Sequence, residues 1–102
     1  MAAKTILDTI GRTPLVELSP SFVGSAKAAV FVKMEYVNPS GSLKDRIALE
    51  MIEDAEAKGL LKPGNTILES STGNTGIALS FVGVQKGYKV VIYETTPGKI
   101  GE

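Results

Sequence analysis

The chain has 102 residues, 43% of them apolar and 22% charged, with a formal net charge of zero. That is the balance of one small globular domain; it excludes a disordered polyelectrolyte and offers no basic field to a nucleic-acid partner. There is no cysteine and no histidine, which excludes disulfides and thiolate metal sites and removes the commonest general base and metal ligand, so no metal is expected.

The opening Met-Ala-Ala-Lys-Thr-Ile-Leu-Asp has no long apolar core, so no signal peptide is expected. No run approaches the roughly 20 apolar residues of a membrane span. A cytoplasmic protein without a membrane partner is the expectation. Residues 4–10 predict a short helix that stops at Gly11, and Thr13-Pro14 opens an extended piece, Leu15 to Leu18. Ser19 to Lys27, rich in Ser, Gly and Pro, reads as a loop. Ala28 to Glu35 reads as a strand on its β-branched and aromatic content, and Tyr36 to Ser42 as a turn.

From Leu43 to Lys58 the apolar residues Ile47, Ala48, Met51, Ile52 and Ala55 form one helical stripe. Arg46/Glu50 and Asp54/Lys58 stand at i,i+4 as charge pairs, with Ser42 as the expected N-cap and Gly59 just past the C-terminal end. A turn at 62–65 leads to a strand at 66–69. A Ser/Thr/Gly loop, a helix over 75–86, Gly87 and a strand over 89–93 follow. Strand, helix, strand, helix, strand is the order of an α/β layer with right-handed crossovers and a mostly parallel sheet.

Two stretches stand at strand-to-helix joins, where α/β sheets gather ligands. In Asn-Pro-Ser-Gly-Ser-Leu-Lys-Asp-Arg, residues 38–46, Lys44 falls in the first turn of the helix, at the positive end of its macrodipole. An ammonium is disfavoured there, and a neutral amine is what a Schiff-base nucleophile needs. Alone, Lys44 is more readily a side chain extended into water. In Ser-Ser-Thr-Gly-Asn-Thr-Gly, residues 70–76, hydroxyls and free N–H groups at a helix start suit a carboxylate or phosphate. Alone, it is an ordinary capped turn; the lysine of a P-loop is missing. Together, an amine and an anion cradle suit pyridoxal phosphate chemistry on an amino acid.

The sequence resembles the N-terminal part of the cysteine synthase (O-acetylserine sulfhydrylase) and cystathionine β-synthase family of fold-type II pyridoxal-phosphate enzymes. The matching pieces are residues 10–16, 38–46, 58–64, 69–79 and 86–89, in the family's order and spacing. The resemblance implies a partial three-layer α/β/α fold, the N-terminal part of the tryptophan synthase β-like fold. It implies pyridoxal 5′-phosphate carried by Lys44, with Asn74 bonded to the cofactor's 3′ oxygen. Ser71, Thr72, Gly73 and Thr75 would hold the substrate carboxylate. The implied chemistry is β-replacement: loss of the leaving group of an activated serine, then addition of sulfide or a thiol, with Lys44 moving the Cα proton.

The chain departs from the family pattern at Arg12, where many members have Asn, and in the order Ser71-Thr72. Tyr93 runs into Glu94 without the usual Met-Pro, and the tail at 94–102 leaves the pattern. Family members are about three times longer. Their phosphate-binding loop and most of their large domain have no counterpart here. One truncated domain is therefore expected, inactive alone. Its segment 1–35 would face the missing large domain, its core would span 36–93, and its partner would be a second copy or a complementing C-terminal half. The alternatives are a non-catalytic α/β module that binds a small anion or oligomerises, and a remnant.

Overall fold

A computed structural model describes residues 3–24 and 27–94. The N-terminal helix expected at residues 4–10 is a 3-10 turn over Ile6–Thr9, its start held by Asp8, whose carboxylate accepts from the Lys4 and Thr5 N–H groups at 3.1 Å. Strand β1 (Leu15–Glu17) follows. The stretch read as a loop contains one helical turn, α1 (Pro20–Val23), begun by Pro20 at its first position, where a missing N–H costs nothing. Strand β2 (Phe31–Lys33) then pairs antiparallel with β1.

This pairing revises the expected sheet. The strand at 28–35 does not join the parallel layer; it closes a two-stranded antiparallel unit with the N-terminal segment. The physical cause lies just after it. A 3-10 turn at Glu35–Val37 and the turn beyond it are bonded back to Gly11 and Thr13, which holds β2 beside β1.

The other half is the βαβ unit the pattern predicts. Helix α2 (Lys44–Ala57) leads to strand β3 (Thr66–Ser70), helix α3 (Asn74–Gln85) and strand β4 (Lys89–Tyr93), with β3 and β4 parallel and Ser70 opposite Tyr93. The glycine expected to end α2 does so: Gly59 adopts φ +72°, a left-handed conformation that costs a side-chain-bearing residue about 1–2 kcal/mol. Ser42 is not the formal N-cap; Leu43 occupies that position in helical conformation, and the Ser42 hydroxyl accepts from the Lys44 N–H at 3.2 Å.

The core is the seam between α2 and α3, closed below by β4. Ala48, Ile52, Ala78, Leu79, Val82 and Tyr88 form one buried cluster. Gly83 lets α3 settle onto the sheet, since a Cβ there would stand 2.5 Å from Val90 Cγ2. Helix α3 covers one face of the β3–β4 pair and α2 packs on α3, while Leu68 on the other face is 61% exposed. Two of the three expected layers are therefore described.

Candidate functional site

The turn before α2 is built from side chains that face inward. Asn38 is buried; its Oδ1 accepts from the Gly11 N–H at 2.8 Å, and its amide donates to the Glu35 carbonyl at 2.8 Å and carboxylate at 3.0 Å. Asp45 is fully buried and accepts from the Ser40 N–H at 2.8 Å and from the Ser40 hydroxyl. A carboxylate in the first turn of a helix also meets the positive end of the dipole. Arg46 turns away from Glu50, its expected partner, and grips Glu35 with two N–H groups, Nε to Oε1 at 2.7 Å and Nη2 to Oε2 at 3.0 Å. Its Nη2 also donates to the Gly11 carbonyl and the Thr13 hydroxyl.

This network was not apparent in the sequence. Its partners lie up to 35 residues apart, and no local spacing rule reaches that far. The Arg46 guanidinium, followed by the Thr13 hydroxyl, pulls the Glu35 carboxyl down to about 2 against the opposing effect of burial. Glu35 in return raises Arg46. Gly11 is required at the centre: its φ is +82°, and a Cβ would sit 2.9 Å from Arg46 Nη1.

Lys44 is the first residue of α2, as the sequence predicts, and is partly buried. Its side-chain amine has no hydrogen-bond or ion-pair partner among the described residues, while Asn38, Asp45 and Arg46 are each committed inward.

The second stretch lies at the carboxyl end of the parallel strands. The Ser71 N–H donates to the Tyr93 carbonyl at 2.9 Å, which ties the loop to the edge of the sheet. The Ser71 hydroxyl accepts from the Gly73 N–H at 3.3 Å and the Gly76 N–H at 2.8 Å. It thus caps α3 from within the loop and keeps its own proton available to a ligand. Gly76 permits this approach, because a Cβ would stand 3.1 Å from Ser71 Oγ. Thr72, Gly73 and Asn74 are exposed, and Thr75 is partly buried.

The two stretches lead into two helices that pack on each other. Lys86, just past α3, bridges to Glu53 at 3.4 Å and Glu56 at 2.8 Å near the end of α2, and the Tyr88 hydroxyl donates to Glu56 at 2.6 Å. With their carboxyl ends clamped together and their buried residues in one cluster, α2 and α3 pack alongside each other. Residues four apart share a helix face. Ala48 and Ala78 are both fully buried in the seam, with Ile52 and Val82 one turn further on. Lys44 and Asn74 are the residues one turn before that pair, on the same stripes. The small alanines let the helices approach closely beneath them.

Open clefts lie elsewhere. One of about 260 Å³ is lined by Met51, Leu60, Leu61 and Ile67 among others, and one of about 540 Å³ runs along Arg46, Ile47, Glu50 and Asp54. Neither includes Lys44 or the loop at 71–76. No cluster of acidic residues suited to a metal occurs among the described residues.

A family model described as "Pyridoxal-phosphate dependent enzyme" matches residues 6–100. The chain belongs to the pyridoxal-phosphate-dependent enzyme family. It is 55% identical over 87 residues to an O-ureido-L-serine synthase of Streptomyces lavendulae, covering 85% of this chain and 26% of that protein. It is 57% identical over 86 residues to a cysteine synthase of Staphylococcus aureus, covering 84% and 27%. A crystal structure of a hydrogen sulfide-producing enzyme from Fusobacterium nucleatum superposes with a TM-score of 0.88 at 40% identity, over 98% of this chain and 32% of that one. The chain thus spans about a quarter to a third of the length of these relatives, and its α/β architecture is that of the fold-type II enzymes.

The residues fit the cofactor of this family. An amine with no partner among the described residues stands at the positive end of one helix, and an exposed carboxamide stands at the start of the next. The hydroxyl-bearing loop that leads into that second helix is suited to an anion. Among the described residues no helix is long and apolar enough to cross a membrane.

Proposed function

We propose that this chain carries the lysine-bearing part of a pyridoxal-phosphate site for cysteine synthase-like β-replacement on an activated serine. The observation that supports it is the placement of Lys44 and Asn74 at the starts of α2 and α3, each one turn before an alanine of the buried cluster, with the loop at 71–76 leading into α3. Lys44 would hold the cofactor through its amine. Asn74 would donate its side-chain amide to the cofactor's 3′ oxygen. When bound, pyridoxal phosphate supplies an electron sink for charge that develops at the amino acid's Cα.

The remaining work falls to groups of this chain. Ser71 and Thr72 would donate their hydroxyl protons to the substrate carboxylate, with the backbone N–H groups of Gly73 and Thr75 beside them. The positive end of α3 favours the carboxylate at that place. Once released from its covalent role, the Lys44 amine would take the Cα proton of the substrate; in its neutral form it is a competent general base. The leaving group would depart from Cβ with its bonding electrons, sulfide or a thiol would add there, and Lys44 would return the proton to Cα. The cradle for the cofactor's phosphate and the second wall of the pocket would come from a complementing segment, so this chain would act as part of a larger assembly.

The test is complementation. The remaining length of a cysteine synthase, expressed separately, is mixed with this chain, pyridoxal phosphate, O-acetylserine and sulfide. Cysteine should form with the wild-type chain and not with Lys44→Ala. Equal product with both chains, or none with either when the same division of an intact relative does reassemble, would refute the reading.

A further inference from the structure

The cofactor reading leaves the most heavily bonded side chain of the motif, Arg46, without a task. Building on that reading, we propose that Arg46 is a positioning residue: clamped by Glu35, it sets the rotation of the first turn of α2 so that Lys44 lies on the stripe that faces α3 and Asn74.

Successive residues of a helix point about 100° apart. Three consecutive side chains therefore fix each other's direction. Asp45 is buried and bonded to Ser40. Arg46 is held by both oxygens of Glu35, by the Gly11 carbonyl and by the Thr13 hydroxyl. With these two directions taken, Lys44 is left on the face that continues through Ala48 and Ile52.

The grip is geometric as well as ionic. A guanidinium presents a planar fork that meets a carboxylate twice, which an ammonium cannot do. The absence of a Cβ at Gly11 makes room for it, since Nη1 would lie only 2.9 Å from one. Glu35 is anchored independently of Arg46, by Thr13 at 2.7 Å and Asn38 at 3.0 Å, so the clamp has a fixed base.

The experiment uses the full chain and pyridoxal 5′-phosphate with borohydride trapping. Peptide mapping gives the ratio of label on Lys44 to label on Lys58, an exposed lysine near the other end of α2. Wild type should favour Lys44. Arg46→Lys and Glu35→Gln should each lower the ratio about tenfold, and the double variant should lower it no further, because the two residues act as one unit. Ile52→Ala, which weakens the core without touching the clamp, should keep the wild-type ratio at equal folded fraction. That control separates positioning from a merely structural role.

Retention of the ratio in folded Arg46→Lys overturns the proposal, and so does an equal loss in Ile52→Ala. Absence of any preference for Lys44 in wild type overturns the cofactor reading and this role with it. A preference that ignores Arg46 overturns this role alone.

Discussion

At the scale of single residues, the motif at 38–46 divides its work. Asn38, Asp45 and Arg46 fix the turn, and Lys44 is left unpartnered among the described residues. Glu35 gives this arrangement a pH signature. Its folded-state value, about 2, lies below the ordinary 4.5. Its contribution to stability is therefore complete above about 4.5 and disappears as the pH falls toward about 2. Glu35→Gln should flatten the acid limb of a stability–pH curve in that window while lowering stability near neutrality. Urea unfolding at a series of pH values measures both effects. Gly11→Ala combines an unfavourable φ with a collision against Arg46. It should cost about 1–3 kcal/mol, read from the same unfolding curves.

At the scale of elements, helices α2 and α3 and strands β3 and β4 were legible because their signals are local. The apolar stripe through Ala48, Ile52 and Ala55, the stops at Gly59 and Gly87, and the β-branched run at 89–93 each act within a few residues. The partner of β2 was not legible. A three-residue strand carries no register information, and its antiparallel neighbour is chosen by the distant bonds from Arg46 and Asn38 to residues 11–13. The same long-range bond diverted Arg46 from Glu50, whereas Asp54 and Lys58, free of competitors, form their expected pair at 2.9 Å. Of the candidate site, Lys44 and the loop at 71–76 were legible as strand-to-helix joins. The clamp of Arg46 on Glu35, beside Lys44, was not.

The packing of these elements can be probed directly. Gly83→Ala drives a methyl group into Val90, whose Cγ2 would be 2.5 Å away. Overpacking of this kind costs about 1–3 kcal/mol and should separate α3 from β4. A lowered thermal midpoint with unchanged helix content by circular dichroism is the expected outcome. At the far end of the helices, Glu56 is lowered, chiefly by Lys86 and then by the Tyr88 hydroxyl, and both of these are raised, chiefly by Glu56. That cluster supports the fold between an acid limb, where Glu56 gains a proton, and an alkaline limb, where Tyr88 and Lys86 lose theirs. Lys86→Met should lower the melting temperature most across the plateau between these limbs and flatten both limbs in a scan against pH.

At the scale of the whole molecule, the radius of gyration is 17.8 Å, against about 13 Å for a compact chain of about 100 residues. The excess fits the open antiparallel unit, on which Leu15, Val16, Phe31 and Val32 are all exposed. Surface of that kind promotes association. Sedimentation velocity should show a rise in mean mass with concentration, and Phe31→Lys should suppress it without changing the unfolding of the α2–α3 core. The measurement that bears most directly on the whole account is a pyridoxal 5′-phosphate titration followed by visible absorbance, with Lys44→Ala as the control. The account predicts a new saturable band in the wild-type chain that is lost in Lys44→Ala. A band of equal strength in both, or none in a folded wild-type chain, would contradict it.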